Sequence, residues 1–299
     1  MTEKFIPEIM VIGVDSLGNV VNDMEKSDLA EVEFFAVSTE IKNLEKSSTT
    51  VKIQLGVDEE SIKCDVEKIQ NILDGVNMVF IIAHPKELMN NRVLRIISEV
   101  TIRKNIITVA IVPKSLSYEK HLMDIIDIDI QNLEKMMDSV VVIKVDESLH
   151  PDNIVKNLSG EEIVNYTCSV LKKCVKGILD LTMRTGLISL DFEDITAILK
   201  KSGLTLFSFA ESVGENRATC AVEQLIKSPL LERSIFGAGK ILINVAGDDS
   251  IELDEARSIA DIITSASGKG PEEILFGLTI DEDLGDKLEV YLYANGFDS

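Results

Sequence analysis

Two acidic side chains stand three positions apart in the segment GLISLDFEDI, residues 186–195. Asp191 lies just before a predicted helix that begins near Phe192, and Asp194 lies in the first turn of that helix. A carboxylate can orient an attacking water molecule by accepting one of its hydrogens. An aspartate at a helix start also commonly caps the free backbone N–H groups there. The segment alone leaves open whether this pair takes part in a reaction or only holds the end of a helix.

The composition limits which partners and metal ions the chain is expected to bind. A formal net charge of −21 disfavours unassisted binding to nucleic acid and to anionic lipid. No apolar run reaches the ~18 residues of a membrane span, and no signal-peptide pattern is present, so we expect a cytoplasmic protein without direct membrane binding. The cysteines show no CxxC pair and no metal-ligand spacing, so we predict free thiols and no metal site: Cys64, Cys168, Cys174 and Cys220.

In the first half of the chain, short apolar runs rich in Val and Ile alternate with helical patterns. Near-continuous apolar runs are typical of strands that are buried on both faces. The alternation predicts a parallel sheet covered by helices, with any ligand site at the carboxyl ends of the strands. The predicted strands cover residues 8–14, 32–37, 78–83, 106–112 and 140–145, and the predicted helices cover about 19–29, 65–74, 88–103 and 119–136.

The second half begins with a long helical pattern, roughly residues 161–184, that we expect Gly186 to cap. The last two predicted strands flank the acidic turn DEDLGD, which predicts an antiparallel pair. The chain is therefore predicted to be an α/β protein with a Rossmann-like parallel-sheet domain (1–160), a connecting helix (161–185) and a smaller α/β domain (186–299). In that last domain, helices at about 192–201, 216–227 and 253–266 alternate with strands near 204–210, 239–246, 273–280 and 287–294.

Three long segments of the second half resemble FtsZ, the bacterial relative of tubulin. GLISLDFEDI resembles its catalytic loop, SVGENRATCAVEQLIKSPLLE (212–232) its GENRA segment, and FGLTIDEDLGDKLEVYLYANGFD (276–298) its closing strands. Shorter matches, among them VIGVDSLGNVVNDM and MVFIIA, extend the resemblance over nearly the whole chain. The resemblance implies the FtsZ/tubulin fold, GTP binding in the first domain and head-to-tail assembly. In the family, acids that correspond to Asp191 and Asp194 act on the GTP of the neighbouring subunit, although Ser189 here replaces an Asn of that loop.

The loops that would hold the phosphates depart from the family pattern. Glycines let backbone N–H groups approach phosphates closely. In the first loop Asp15 adds a negative charge and Leu17 adds bulk. Where the family has GGGTGTG, an ungapped alignment gives residues 86–92, without any glycine, and the third loop, residues 57–61, is short and acidic. We therefore expect no GTP or GDP cofactor.

The guanine contacts are also changed. Cys168, Val145 and Met123 stand where the family has Asp, Asn and Arg. Loss of base-edge hydrogen bonds lowers affinity because groups of the pocket stay unpaired. The remaining family residues are then vestiges of a nucleotide site: Gly13, Gly18, Asn19, Ser117 and Glu119. A competing interpretation is a new anion site at Lys86 and Arg92, beside the left-handed backbone that Asn90 and Asn91 tolerate.

One face of the subunit is thus expected to be disabled while the other stays usable. The leading hypothesis is a subunit that does not hydrolyse GTP by itself and that joins, caps or modulates FtsZ-type filaments through Asp191 and Asp194. Three alternatives remain: nucleotide-independent self-assembly into filaments, a divergent GTPase with an altered phosphate site, and a monomeric binding protein. FtsZ proteins usually continue into a linker and an adaptor-binding peptide, and the sequence leaves open whether this protein has them.

Overall fold

Eleven strands of the described chain form one mixed sheet. The structure is a computed structural model that describes residues 5–18, 21, 29, 32–115, 119–145, 160–184, 186–231, 233–268 and 274–297. The strands are β1 (Ile9–Val14), β2 (Glu33–Ser38), β3 (Val51–Gln54), β4 (Met78–Ile82), β5 (Ile107–Ser115), β6 (Ser139–Val145), β7 (Gly186–Ile188), β8 (Gly203–Val213), β9 (Lys240–Gly247), β10 (Ile274–Ile280) and β11 (Lys287–Asn295). Their order across the sheet is β3-β2-β1-β4-β5-β6-β8-β11-β9-β10-β7.

The first six strands are parallel, as the alternating pattern predicts. β1 and β4 are buried along their whole length because helices and loops cover both faces of the sheet. Strand β3 and a short helix after β2 were not predicted, since both are too short to show a period.

The helices are α1 (Ile41–Lys46), α2 (Ile62–Ile72), α3 (Arg92–Lys104), α4 (Lys120–Glu134), α5 (Gly160–Met183), α6 (Phe192–Leu199), α7 (Arg217–Ile226) and α8 (Leu253–Ser267). The helix predicted for residues 19–29 falls almost entirely outside the described residues.

The predicted pairing of the last two strands is wrong. β11 is antiparallel to both β8 and β9, and β10 is parallel to β9, so β9 lies between β10 and β11. All residues of β9 except Lys240 are buried, which suits a central position with a neighbour on each side. A turn at Glu282–Leu284, followed by Gly285 at φ 55°, leads the chain past β9. The sheet of the first half continues into this one because β6 pairs in parallel with β8.

Helix α5 is the central element of the core. Leu171, Val175 and Ile178 are fully buried in a cluster that also contains Tyr291 and Tyr293 of β11. The helix lies so close to β11 that a Cβ atom on Gly177 would come 2.6 Å from the Tyr293 hydroxyl.

The expected cap at the end of this helix is also wrong. Gly186 begins β7 and does not adopt a positive φ. A Cβ atom there would lie 2.1 Å from the carbonyl oxygen of Leu278, so this glycine permits close pairing of β7 with β10.

Candidate functional site

The carboxyl ends of β1, β2 and β4 meet at one edge of the sheet, where the sequence places the phosphate loops. After β1 the chain makes a tight turn, Asp15–Leu17, in which Asp15 has φ 50°. Gly13 and Gly18 have packing roles here. A Cβ atom on Gly13 would lie 2.5 Å from Val21, and one on Gly18 would lie 3.1 Å from the Cβ of Ala36. The turn is therefore held tightly against the sheet by contacts that need no phosphate.

Asp15 joins the three strand ends. Its Oδ1 accepts a hydrogen bond from the Ser38 hydroxyl at 2.6 Å, and its Oδ2 accepts one from the Asn91 amide at 2.7 Å. Ser38 is fully buried at the end of β2, and its hydroxyl oxygen also accepts from the backbone N–H of Glu40. The same amide of Asn91 donates to the Glu87 carbonyl oxygen at 2.8 Å. Both carboxylate oxygens of Asp15 are thus engaged within the protein.

A second carboxylate lies at the same edge. Glu87 Oε2 accepts hydrogen bonds from the backbone N–H of Ser16, at 3.3 Å, and from its hydroxyl, at 2.9 Å. A backbone N–H in this turn, which in a phosphate loop would point toward the ligand, here points to a side chain. We refer to Asp15, Ser16, Ser38, Glu87 and Asn91 together as the edge network.

The start of α3 is closed in the same way. Asn91 caps the helix by accepting a hydrogen bond from the backbone N–H of Leu94 at 3.1 Å. Asn90 takes the left-handed conformation, φ 55°, as the sequence suggested for this pair. A helix start is an anion site when its N–H groups are free, and Asn91 satisfies one of them. The helix begins at Arg92, four residues later than predicted, because Pro85–Glu87 form a separate 3₁₀ turn.

Arg92, one of the two residues of the competing anion site at Lys86 and Arg92, is engaged within the protein. Arg92 donates to Asp65 Oδ2 at 3.0 Å and to the Ser61 hydroxyl at 2.8 Å. Burial raises the pKa of Asp65, but hydrogen bonds from Arg92 and from other donors outweigh it and bring the pKa below its ordinary value. Arg92 is therefore committed to a buried carboxylate of α2, while the backbone N–H of Lys86 donates to His84 at 3.2 Å.

The edge network opposes a polyanion electrostatically. A phosphate charge about 4 Å from a carboxylate is repelled by roughly 1–4 kcal/mol, depending on the local dielectric. Asp15 and Glu87 would both act in this sense. Of the edge network, Asp15 is evident from the sequence, whereas Ser38 and Glu87 were not expected to belong to it. The only available signal for Ser38 was a polar residue at the end of an apolar strand.

Three of the other residues at predicted nucleotide positions are described by the structure: Cys168, Glu119 and Met123. Cys168 is buried in the core around α5, and Glu119 is an exposed residue that precedes α4 and makes no cap hydrogen bond. Met123 is half-buried on α4. Asn19, Ser117 and the side chain of Val145 lie outside what the structure describes. Within the described residues, no group of three or more His, Cys, Asp or Glu is arranged to hold a metal ion.

Asp191 and Asp194 form a reciprocal cap on α6. The Asp194 backbone N–H donates to Asp191 Oδ1 at 2.8 Å, and the Asp191 backbone N–H donates to Asp194 Oδ2 at 3.2 Å. This capping box fixes both side chains. Asp191 is exposed and Asp194 half-buried, and the second oxygen of each carboxylate accepts no hydrogen bond from any described residue. The pair therefore caps the helix and still offers two acceptor oxygens, so the two roles left open by the sequence are compatible.

This acidic pair lies at the opposite end of the first-half sheet from the edge network. The ring of Phe192 is 6.0 Å from that of Phe5, which precedes β1. Lys200, just after α6, donates to Asn105, which precedes β5, at 2.9 Å. Both contacts are at the amino ends of the parallel strands, whereas the edge network is at their carboxyl ends. A head-to-tail stack of such subunits would bring the two ends together.

Comparison with known proteins agrees with this geometry. Residues 203–298 match the sequence family described as FtsZ family, C-terminal domain. The chain is 29% identical to Cell division protein FtsZ 1 of Thermococcus kodakarensis, over 100% of this chain and 83% of that protein.

Solved structures give the same result. An empty FtsZ dimer of M. jannaschii superimposes with a TM-score of 0.82 at 27% identity, covering 99% of this chain and 89% of that one. A GTPγS-bound protofilament of CetZ2 from Haloferax volcanii matches with a TM-score of 0.74 at 13% identity, covering 97% and 93%, which shows a common fold. None of the described helices is long and apolar enough to cross a bilayer.

Proposed function

We propose that this FtsZ/tubulin-family protein is a cytoskeletal or cell-division subunit that holds no GTP of its own. It joins, caps or modulates FtsZ-type filaments through the face that carries Asp191 and Asp194. The observation that supports this most is the edge network, in which two carboxylates lie among the phosphate loops and accept hydrogen bonds from Ser16, Ser38 and Asn91. The opposite face keeps two acceptor oxygens in a rigid capping box.

The partner is a subunit that carries GTP at its own carboxyl edge. In such a contact, Asp191 and Asp194 would meet the neighbour's nucleotide and orient water there, as a positioned carboxylate can. In the reverse contact the edge network of this chain would face the next subunit, and the interface between them would contain no nucleotide. The chain would therefore add to one end of a filament and oppose growth beyond itself.

Mixed sedimentation with GTP-bound FtsZ tests this proposal. The chain is expected to appear in the pellet with the filaments, to change their amount or length, and to change GTP turnover. Asp191→Asn is the informative variant, because Asn is also a good cap residue. If the wild-type chain stays in the supernatant and leaves both filament mass and GTP turnover unchanged, the proposal fails.

Exposed apolar side chains support a second candidate, nucleotide-independent self-assembly. Val57 and Met89, in the loops after β3 and β4, are 77% and 65% exposed, and Leu187 of β7 is 60% exposed. A net charge of −21 would oppose contact between copies, so assembly should strengthen as salt screens the charge. Electron microscopy of the pure protein over a salt series distinguishes the candidates, since absence of filaments at high protein and high salt excludes this one.

A further inference from the structure

A cavity of about 220 Å³ lies between the start of α3 and the second half of α4. Its walls include Leu88, Leu94 and Leu133, which are 7%, 1% and 3% exposed. Asp129 also lines it, from the same face of α4 that buries Ile126, Ile130 and Leu133. A carboxylate thus stands on the apolar side of an amphipathic helix.

Asp129 is 9% exposed and has no hydrogen bond or ion pair with any described residue. Burial raises the pKa of its carboxyl group. Its carboxylate oxygens are not among the fully enclosed, unpartnered side-chain atoms of the described residues, so they keep contact with solvent in the cavity. Even a partly desolvated carboxylate is normally hydrogen-bonded or paired, because desolvation of a charge without a partner is unfavourable. The nearby buried ammonium of Lys114 pairs with Asp127 of the same helix, so it is committed elsewhere. An unpaired carboxylate in an open cavity is therefore the kind of group that a ligand completes.

We propose that this cavity binds the ammonium or guanidinium group of a small organic cation, with Asp129 as the anionic partner and the three leucines packing on a short apolar stem. The same cation could be a free amine or the side chain of a lysine or arginine that another protein presents. Arg95 also lines the cavity, and its side chain is exposed. It forms no ion pair with Asp129, so the two charged groups are more than 4 Å apart. It lies where it would repel the incoming cation. This site is independent of the proposed filament contact.

Saturation-transfer NMR titrations with n-butylammonium and n-butylguanidinium, at constant ionic strength, test the proposal, with n-butanol as the neutral match. Saturable binding with a Kd of ~1–10 mM is expected for ligands of this size. Asp129→Asn should weaken it about tenfold or more, because a charge-assisted hydrogen bond is lost. Asp124→Asn, an exposed residue of the same helix with the same loss of charge, should leave it unchanged.

The tripeptide Gly-Lys-Gly distinguishes the two sources. Binding of Gly-Lys-Gly as tight as that of n-butylammonium shows that the cavity admits a lysine side chain on a peptide backbone, and binding of n-butylammonium without the tripeptide restricts the site to a free amine. Equal affinities of the wild type and Asp129→Asn, or no saturable binding of either cation, would overturn the proposal.

The main alternative is that Arg95 itself pairs with Asp129 in solution and compensates its charge. The variant Arg95→Gln tests this alternative. The proposal predicts unchanged stability for Arg95→Gln and tighter binding of the cation, by about two- to threefold. It is contradicted if Arg95→Gln destabilises the protein only while Asp129 is present, since that coupling would show an internal ion pair.

Discussion

At the scale of single residues, the edge network is the main support for the proposal that this chain holds no nucleotide of its own. Asp15 is bonded to Ser38 and Asn91, and Glu87 is bonded to Ser16. The sequence indicated a negative charge at Asp15 and a pair, Asn90 and Asn91, that tolerates left-handed backbone; Asn90 adopts it and Asn91 does not. The sequence could not predict Ser38 or Glu87 as partners, because these contacts depend on how three separate loops converge.

Asp15→Asn should lower the free energy of unfolding by about 1–3 kcal/mol. Asn tolerates the positive φ of this position, so the change removes the charge and leaves one of the two donors, Ser38 or Asn91, without an acceptor. Urea denaturation at neutral pH measures the difference. Asp124→Asn, at an exposed position on α4, is the control and should change stability little. A neutral or stabilising effect of Asp15→Asn would contradict the role given to the edge network.

Two substitutions at Asp191 separate its role as a helix cap from its proposed role in GTP turnover. Asp191→Ala removes the acceptor of the Asp194 N–H bond and should cost about 0.5–2 kcal/mol of stability. Asp191→Asn should keep most of that stability, yet lose the effect on GTP turnover in mixed FtsZ filaments. Thermal unfolding and a phosphate-release assay measure the two properties. If Asp191→Asn retains the full effect on turnover, the carboxylate charge has no role there.

At the scale of elements, a buried ionic cluster fixes α5 to β11. Glu289 is 3% exposed and accepts hydrogen bonds from Lys173 and from the Tyr291 hydroxyl, with Lys176 at 3.7 Å. Burial would raise the pKa of Glu289, but the lysines and the Tyr291 hydroxyl outweigh burial and hold the pKa below its ordinary value. Ionised Glu289 therefore favours the folded state.

Glu289→Gln should destabilise the protein by roughly 3 kcal/mol at neutral pH, since it leaves the half-buried ammonium groups of Lys173 and Lys176 less well compensated. The pKa is lower in the folded state, so the stabilisation by Glu289 is complete above the unfolded pKa, near 4.5. It is lost as the pH falls through the folded value. Urea titrations should thus show a constant difference between the variant and the wild type from pH 7 down to about pH 4.5, and a smaller difference as the pH falls further. Exposed Glu282→Gln is the control, and a constant difference at all pH values would contradict this account.

Most elements could be predicted from periodicity alone. The long strands and helices of both halves lie within a few residues of their expected bounds, because each shows either a continuous apolar run or a clear helical period. The order of strands in the second half could not be predicted. β10 and β11 are joined by a short acidic turn that is typical of a hairpin, yet the almost fully buried β9 inserts between them. Which strand takes the central position depends on burial of whole faces, and a local turn does not encode it.

At the scale of the whole molecule, the two ends of the subunit differ in kind. The carboxyl end of the first-half sheet carries the edge network, and the amino end carries the Asp191 and Asp194 pair. The sequence resemblance predicted this asymmetry, and the fold places the two sites at opposite ends, as head-to-tail stacking needs. The division into domains at residues 160 and 185 stays a prediction, because one sheet continues through the β6–β8 pair.

The central claim, that this subunit holds no nucleotide of its own, is tested most directly by titrating the purified chain with labelled GTP and GDP, with and without magnesium. The edge network predicts no saturable binding up to high-micromolar nucleotide in either condition. Tight, magnesium-dependent binding would contradict it, because the loops would then have to release Asp15 and Glu87 and form a phosphate site of a different design.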